Sequence, residues 1–478
     1  MSKISLIIIL FFYGPGFSQN LVESLIDNDC MEHGSASILV KNIKTGEIVL
    51  EFDADRSLPT ASIQKILSTA SALKVKGKNY RYKTVIGYSG LFSDQTIRGD
   101  LVIKGSGDPT IGSDHFDNIP DLEEIAFQLL KTLREKGVHT IDGNILVDES
   151  ALSGQKTPSG WPWADLGNYY GAGHWAINFN NNEYQLKFVQ NSNTGELTTI
   201  HSIIPSIDGF SIKNEVRTGP VGSGDRAYIY AGPYSNNAVV RGTIPPGNGL
   251  FTIRGSITNP PSYFATFLGD YLKSNGIRIT GNTGIRDIPI PISEELYNIY
   301  SPQLSEIARI TNFESVNLFA EALMKLTCNS TTPPSSFECG RDFMKEFWED
   351  QGVGMSGAFI VDGSGLSPRN TSSARTFNDI LQIIYNDTSW FETFSVTLPE
   401  MGKEGTLKYM MKNNPHKLKV LAKSGYIGRQ RSYAGYIFTQ SKQILSFCII
   451  LDNYSCSSGV VRNRIEKFLT RIPEVMKK

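Results

Sequence analysis

A long block of short strand-like segments, residues 83–290, separates two stretches of this chain in which helices and strands alternate. Inside the block, segments such as Thr84–Tyr88, Asp100–Lys104 and Ala238–Gly242 lie between Gly-, Asn- and Asp-rich turns, which is typical of β-structure. One amphipathic helix is predicted within it, at Leu122–Lys136. A β-rich block between two mixed ends predicts a domain that is interrupted by an insertion.

The two ends of the chain contain the elements of one α/β domain. Ahead of the block, two strand-like runs precede a helix that begins at Ser62. Behind the block, helices predominate over residues 305–348, and three strand-like runs follow before a C-terminal helix. We therefore predict a discontinuous α/β domain of residues 19–82 and 291–478, with an inserted β-rich region, residues 83–290, that divides into two subdomains.

Composition excludes several functional classes. The 478 residues are 40% hydrophobic and 19% charged, which supplies enough apolar material for real cores and rules out a largely disordered chain. The net charge of -1 offers no basic surface for nucleic acid or for an acidic membrane. We therefore expect no nucleic-acid partner.

The N-terminus has the features of a secretory signal. Lys3 supplies a short positive region, residues 4–13 are apolar, and small residues follow up to Ser18. The apolar stretch is too short to span a membrane stably, and no later segment reaches spanning length. We predict a signal peptide of residues 1–18, no membrane span in the mature chain, and export to the periplasm or cell envelope.

Five cysteines suit an exported chain without making it a disulfide scaffold. Cys328 and Cys339 flank a Ser-, Thr- and Pro-rich loop, which a disulfide between them would close. Cys448 lies in an apolar run and is predicted to be a buried thiol. Because the number of cysteines is odd, at least one of them is unpaired.

Three short motifs carry the candidate chemistry: Ser-x-x-Lys at 62–65, Ser-x-Asn at 315–317 and Lys-Ser-Gly at 423–425. Each is weak alone, because the chain holds a second version of every one. The second versions lie deep in a helix, in a turn after a proline, and in a hairpin turn; they are residues 71–74, 235–237 and 44–46. Order along the chain and predicted context select the first set.

Ser62 and Lys65 form the first candidate pair. They stand at the start of a predicted helix and one turn apart, so their side chains lie on the same face. The backbone N–H of Ser62 is then at the positive end of the helix dipole, where it can stabilise a developing oxyanion. The same field, with burial, lowers the pKa of Lys65, so its amine can take the Ser62 proton. Taken alone, the tetrad is explained more simply by a capping serine beside a solvated lysine.

The other two motifs fit the same chemistry. The Ser315 motif opens an amphipathic helix, where a plain N-cap is the ordinary role of a serine. The Lys423 motif lies within a predicted strand, where Gly425 would let a substrate backbone approach; a lysine on an edge strand is the alternative. The three motifs in this order and these contexts point together to an active-site-serine enzyme.

Beyond these motifs, the sequence resembles the low-molecular-mass class C penicillin-binding proteins, the D-alanyl-D-alanine carboxypeptidase/endopeptidase family. The resemblance extends over nearly the whole mature chain. It is most specific in Asp-Gly-Ser-Gly-Leu-Ser at 362–367 and in the large insertion between the first two motifs. Other matching segments are 99–101, 105–109, 143–150, 161–172 and 405–407.

The resemblance implies a penicillin-binding transpeptidase/β-lactamase-like domain, in which helices flank an antiparallel sheet. It implies hydrolysis of D-Ala-D-Ala bonds in peptidoglycan stem peptides and cross-links through an acyl-enzyme on Ser62. β-Lactams such as penicillin would be covalent inhibitors, and no metal or organic cofactor is implied. Lys65 is then the base, and Asn317 orients the substrate amide. Ser315 and Lys423 form a relay that protonates the leaving amine.

The chain departs from the family pattern at the end of the third motif, where Lys-Thr-Gly-Thr is usual. Ser424 keeps a hydroxyl for the substrate carboxylate. Tyr426 replaces a small hydroxyl with a ring but keeps the backbone N–H expected to complete the oxyanion hole. Val316 stands where Asp is common, a side chain that is not usually the catalytic one. Ser424, Gly425 and Tyr426 are the predicted substrate-binding residues.

Two alternatives stay open from the sequence. A β-lactamase would use the same chemistry with faster deacylation, although β-lactamases are compact and lack so large an insertion. A catalytically silent wall-binding protein of the same fold would account for Tyr426. Signatures of other hydrolases are missing, because the sequence has no Gly-x-Ser-x-Gly elbow and no metalloprotease pair among its six histidines.

Overall fold

The computed structural model describes residues 17–26, 29–328 and 334–476. The predicted signal peptide lies outside these residues except for its last two positions, which begin the first helix. Within the described ranges, no helix has both the length and the hydropathy that crossing a membrane requires.

Eleven α-helices occur in the described part of the chain. They are α1 (Phe17–Ile26), α2 (Lys65–Lys76), α3 (Leu122–Glu135), α4 (Trp163–Leu166), α5 (Pro260–Ser274), α6 (Leu304–Phe313), α7 (Asn317–Thr327), α8 (Phe337–Asp350), α9 (Ala374–Asn386), α10 (Thr388–Ser395) and α11 (Ser458–Val475).

The strands of the same residues number twenty-two. They are β1 (Ser35–Asn42), β2 (Ile48–Phe52), β3 (Leu58–Pro59), β4 (Lys83–Tyr88), β5 (Leu91–Ser93), β6 (Thr96–Arg98), β7 (Leu101–Lys104), β8 (Thr140–Asp142), β9 (Ile145–Asp148), β10 (Glu183–Val189), β11 (Thr199–Ile204), β12 (Ser211–Thr218), β13 (Tyr228–Tyr230), β14 (Asn237–Ile244), β15 (Leu250–Ser256), β16 (Arg278–Ile279), β17 (Thr283–Arg286), β18 (Glu294–Tyr300), β19 (Thr371–Ser372), β20 (Lys419–Ile427), β21 (Gln430–Phe438) and β22 (Ile444–Asp452).

Both ends of the chain build one antiparallel sheet, in the order β2-β1-β22-β21-β20. Its two faces are both covered by helices, so its central strand β22 is apolar almost throughout. Side chains of a strand alternate between the faces, and Ile38 packs with α1 and α11 whereas Leu39 packs with α2 and α9. The result is a three-layer domain whose edge strand, β20, carries the third motif.

The middle of the chain forms four further sheets. Two of them, β17-β9-β7-β4-β18 and β16-β8-β6-β5, share one apolar core with α3 and α5 and with the three-stranded sheets β11-β10-β15 and β12-β14-β13. The chain enters and leaves this region side by side, because Lys83 of β4 pairs with Tyr300 of β18. The domain limits and the two subdomains predicted from the sequence stay predictions.

Three of the described helices were not predicted: α4, α5 and α10. α5 lies in the block expected to hold a single helix, although Asn259 caps it and Pro260 and Pro261 open it, which are ordinary helix-start signals. α10 follows α9 after one capping residue, Asp387, whereas the sequence predicted a single helix that ended at Tyr385. α3 ends one residue before its predicted limit.

Disulfides join Cys328 to Cys339, the pairing suggested by the loop between them, and Cys30 to Cys456. Residues 329–333 of that loop lie outside the described ranges. Cys448 is free and fully buried, as predicted, and burial raises the pKa of its thiol well above the usual value. The second disulfide ties the segment after α1 to the segment before α11.

Candidate active site

Ser62 lies in a 3₁₀ turn, Ala61–Gln64, that leads directly into α2, and Lys65 is the first residue of that helix. The Lys65 amine donates to the Ser62 hydroxyl over 3.0 Å, so one helical turn brings the two groups into contact. Neither Thr60 nor Gln64 caps the turn or the helix with its side chain. Thr60 and Gln64 occupy the two N-cap positions, so Ser62 does not have the capping role that the tetrad alone suggested.

The Lys65 amine is held by three oxygens. Besides Ser62, it donates to the side-chain oxygen of Asn317 over 2.7 Å and to the carbonyl of Ser364 over 2.8 Å. The Asn317 amide in turn donates to the Tyr170 carbonyl over 2.8 Å, so a segment of the middle region forms one wall of the site. Every one of these partners is electrically neutral, so among the described residues no carboxylate pairs directly with this lysine.

Burial decides the protonation of this lysine. Lys65 is fully buried, and removal from water lowers the pKa of its amine to about 7, against the opposing charges of Glu321 and Asp362. A substantial fraction of the amine is therefore neutral near neutral pH and can accept a proton from the hydroxyl it contacts.

A buried carboxylate fixes the loop that carries Ser364. Glu321, one turn after Asn317 on α7, accepts from the backbone N–H groups of Gly363 and Ser364, each over 2.9 Å. Burial and the charge of Asp362 raise the pKa of Glu321 above its usual value. These two hydrogen bonds fix the loop in the position in which the Ser364 carbonyl accepts from the Lys65 amine.

Asp362 holds the same loop together by hydrogen bonds and joins it to the middle region of the chain. Its carboxylate accepts from the backbone of Gly365 and Ser367, from the amide of Asn370 and from the indole N–H of Trp161. This explains why Asp-Gly-Ser-Gly-Leu-Ser and the Trp161 segment stood out in the sequence. The roles of Glu321 and Ser364 were not predicted: Glu321 belongs to no motif, whereas Ser364 lies within the Asp-Gly-Ser-Gly-Leu-Ser match at 362–367.

Ser315 and Lys423 form the second polar pair. The Lys423 amine donates to the Ser315 hydroxyl over 2.9 Å and to the Ser424 carbonyl over 2.8 Å. Burial lowers the pKa of Lys423 well below its usual value, and the charge of Lys65 lowers it further. Ser315 has a φ of 61°, a left-handed conformation that turns the chain into α7 while its hydroxyl faces the lysine.

The edge of β20 lies against the nucleophile. A Cβ added at Gly425 would sit 2.9 Å from the Ser62 nitrogen and 2.2 Å from the Ser432 hydroxyl, so only glycine permits this approach. The Ala422 N–H points away from β21, to the Pro399 carbonyl. Since N–H groups two residues apart point the same way, the Tyr426 N–H faces the same open edge.

Ser424 and Tyr426 project to one face of β20. The Ser424 hydroxyl lies 3.0 Å from that of Thr406, in the Gly-Thr-Leu segment noted from the sequence. Tyr426 is 53% exposed, and the Arg431 guanidinium lies 4.8 Å from the centroid of its ring. The ring therefore lies against Arg431 of the neighbouring strand β21, next to the open edge of β20.

The alternative motif copies lie elsewhere. Ser71 is fully buried inside α2, and its hydroxyl has no partner among the described residues. Residues 44–46 form the turn between β1 and β2, and Ser235 lies in a turn before β14. Of the sequence candidates, the structure brings together Ser62, Lys65, Asn317, Ser315 and Lys423, with Ser424, Gly425 and Tyr426 along one side.

A serine hydroxyl against a lysine amine that is partly neutral near neutral pH, facing an open strand edge, suits enzymes that form an ester on serine. Residues 17–472 match the family described as D-Ala-D-Ala carboxypeptidase 3 (S13), and the chain belongs to this family. The family, the α/β fold class and the serine-type D-Ala-D-Ala carboxypeptidase activity predicted from the sequence are thereby confirmed.

Curated relatives agree over most of the chain. The D-alanyl-D-alanine carboxypeptidase DacB of Haemophilus influenzae is 22% identical over 455 residues, 94% of this chain and 92% of the relative. The D-alanyl-D-alanine carboxypeptidase of Actinomadura sp. is 25% identical over 447 residues, 91% and 80% of the two chains. The crystal structure of penicillin binding protein 4 from Haemophilus influenzae shares the fold, with a TM-score of 0.82 at 21% identity, covering 97% of this chain and 99% of that one.

Proposed function

We propose that Ser62 is the nucleophile with which this enzyme cleaves D-Ala-D-Ala bonds in peptidoglycan stem peptides and cross-links. The observation that carries the proposal is the 3.0 Å hydrogen bond between the Ser62 hydroxyl and the buried amine of Lys65. The silent wall-binding protein fares less well, because a binder has no need of a lysine whose pKa burial lowers to about 7.

Acylation begins when the Ser62 oxygen attacks the carbonyl carbon of the penultimate D-Ala and its proton passes to the neutral Lys65 amine. The carbonyl oxygen becomes an oxyanion, which the backbone N–H groups of Ser62 and Tyr426 stabilise. Asn317 orients the substrate amide. The C–N bond then breaks, and the acyl group stays on Ser62.

The leaving amine needs a proton as the C–N bond breaks. Ser315 donates it, and Lys423 replenishes the serine over their 2.9 Å hydrogen bond. When water attacks the acyl-enzyme, its proton passes through Ser315 to Lys423, which regains the one it gave up. Lys65 returns to the Ser62 oxygen the proton it took from it, so the cycle balances. Ser424 binds the terminal carboxylate with its hydroxyl.

β-Lactams would acylate the same serine, because opening their ring also forms an ester on it. Support comes from penicillin binding protein 4 of Haemophilus influenzae, whose structure has been solved in complex with a β-lactam. We also propose export to the cell envelope. The two disulfides support it, since such bonds persist in oxidising compartments.

Labelling with fluorescent penicillin tests the proposal. We expect stable covalent label on the purified chain, and release of D-Ala from a pentapeptide ending in D-Ala-D-Ala. Rapid turnover of the penicillin would instead identify a β-lactamase. Absence of both label and D-Ala release would identify a silent binder and refute the proposal.

Tyr426→Thr should improve use of substrates that end in a free D-Ala carboxylate. The new hydroxyl would lie beside that of Ser424 and add a charge-assisted hydrogen bond, which corresponds to roughly 1.5–3 kcal/mol. Acylation by penicillin should change less, because the backbone N–H of residue 426 survives the substitution.

The measurement for Tyr426→Thr is a ratio. Release of D-Ala from a pentapeptide is compared with cleavage of a cross-linked muropeptide dimer, for the wild type and the variant. If the native ring favours internal cross-links, the ratio moves toward the carboxypeptidase reaction. An unchanged ratio would show that Tyr426 does not set substrate choice.

A further inference from the structure

A second cavity lies away from the nucleophile. It has a volume of about 710 Å³ and is bounded by α7, by the start of β4 and by the loop after β7. None of the proposed catalytic residues lines it. The side chains that matter to its chemistry are Lys325, His174, Ser106, Lys76 and Lys104. A volume of this size lies within the range of sites for small organic molecules.

Lys325 is a buried lysine that forms no ion pair within the described ranges. Its side chain is 1% exposed, and its amine donates to the His174 carbonyl over a long 3.3 Å and lies 3.8 Å from the centroid of the Phe337 ring. An ammonium has three N–H donors, so most of its hydrogen-bonding capacity is unused. A charged group in this state is costly unless a partner arrives.

Two further buried atoms at this cavity lack partners. The Nε2 of His174 lies 2.8 Å from the Gly107 carbonyl and donates to it, which leaves Nδ1 as an acceptor. That Nδ1 and the Ser106 hydroxyl have no hydrogen-bond partner among the described residues. Buried polar atoms are normally paired, so these two mark places where a ligand atom or water belongs.

The rim of the cavity is basic. Lys76 and Lys104 both line it, whereas Glu295, the one carboxylate among the described lining residues, is already paired with Lys83 over 2.8 Å. The unpaired charges around the opening are therefore positive. Such a rim attracts anions and repels cations.

We propose that this cavity binds a small organic anion whose carboxylate or phosphate group is held by Lys325 and the Ser106 hydroxyl. His174 Nδ1 accepts a hydrogen bond from an N–H or O–H next to that group. An acylated amino acid has this arrangement, with an amide N–H beside its carboxylate, and so does a phosphate that carries a neighbouring hydroxyl. The site is separate from the pocket of Ser62 and independent of its chemistry.

Binding should weaken as pH rises. Burial, together with the charge of Lys156, lowers the pKa of Lys325 to about 7 against the opposing charges of Glu321, Glu149 and Glu338. Burial keeps His174 neutral, since it lowers the pKa of that ring well below its usual value. An anion binds the ammonium form of Lys325 and not the neutral amine, so affinity is higher below pH 7 than above it.

Calorimetry on the full chain tests the site, with the catalytic pocket first blocked by penicillin. The probes are N-acetyl-D-alanine and inorganic phosphate, titrated separately at constant ionic strength, at about pH 6 and about pH 8.5. If the chain does not take up penicillin, the proposed function fails, and that result is visible by mass before any titration. Binding by only one probe identifies the anionic group that the cavity accepts.

Three variants decide the outcome. Lys325→Met should lower affinity at pH 6 by about tenfold or more, because it removes the charge-assisted contact. Lys104→Glu, at the exposed rim, should weaken binding without touching the core, and covers the case in which Lys325→Met does not fold. Lys44→Glu makes the same charge change on a distant turn and should leave affinity unchanged. Failure of both probes to bind the wild type, or equal affinity in Lys325→Met, would overturn the proposal.

Discussion

Ser62→Ala should abolish covalent labelling by penicillin while the protein stays folded. The variant lacks the oxygen on which the ester forms, whereas Lys65 keeps its hydrogen bonds to Asn317 and Ser364. Loss of the single hydrogen bond to Ser62 should cost only about 1 kcal/mol in free energy of unfolding. Intact-mass measurement after penicillin treatment gives the answer, and thermal unfolding of the same sample reports the stability.

Ser71→Ala is the matched control for this variant. Ser71 belongs to the other Ser-x-x-Lys of the same helix, but its hydroxyl is buried and unpartnered among the described residues. This variant should label like the wild type. A full-mass penicillin adduct on Ser62→Ala would refute the assignment of the nucleophile.

Lys65→Ala should lose acylation about as completely as Ser62→Ala, because a nucleophile and its base act as a unit. Alanine also leaves a cavity where a fully buried side chain stood. Lys65→Met keeps the length and the apolar stem, so it separates loss of the amine from loss of packing. Rates of acylation, measured by stopped-flow mixing with fluorescent penicillin, should fall in both variants.

The wild-type pH profile gives an independent test of the same base. The neutral amine is the active form, and burial lowers the pKa of Lys65 to about 7. The acylation rate should therefore rise with pH through about 7 and level off above it. Lys74→Ala changes the lysine of the other tetrad, which is half exposed and paired with Asp387, and should leave this profile unchanged. Acylation of Lys65→Met within a few-fold of wild type would remove Lys65 from the mechanism.

The sequence by itself identified which residues form the site and where they stand in the chain. Ser62 and Lys65 are one helical turn apart, so their contact is a local consequence of helix geometry and could be predicted. The alternation of β-rich and mixed segments likewise indicated a domain built from both chain ends. Helices and strands could be predicted because their periodicity is visible over a few consecutive residues.

Tertiary structure alone decided how the three motifs meet. Lys423 reaches Ser315 across 108 positions of sequence, and Asn317 reaches Lys65 across 252, distances at which no local pattern carries information. Glu321 has no motif of its own, yet its buried carboxylate sets the loop that presents the Ser364 carbonyl. The lowered pKa of Lys65 also belongs to the assembled protein, since it arises from burial by helices, loop and strand together and exists in none of them separately.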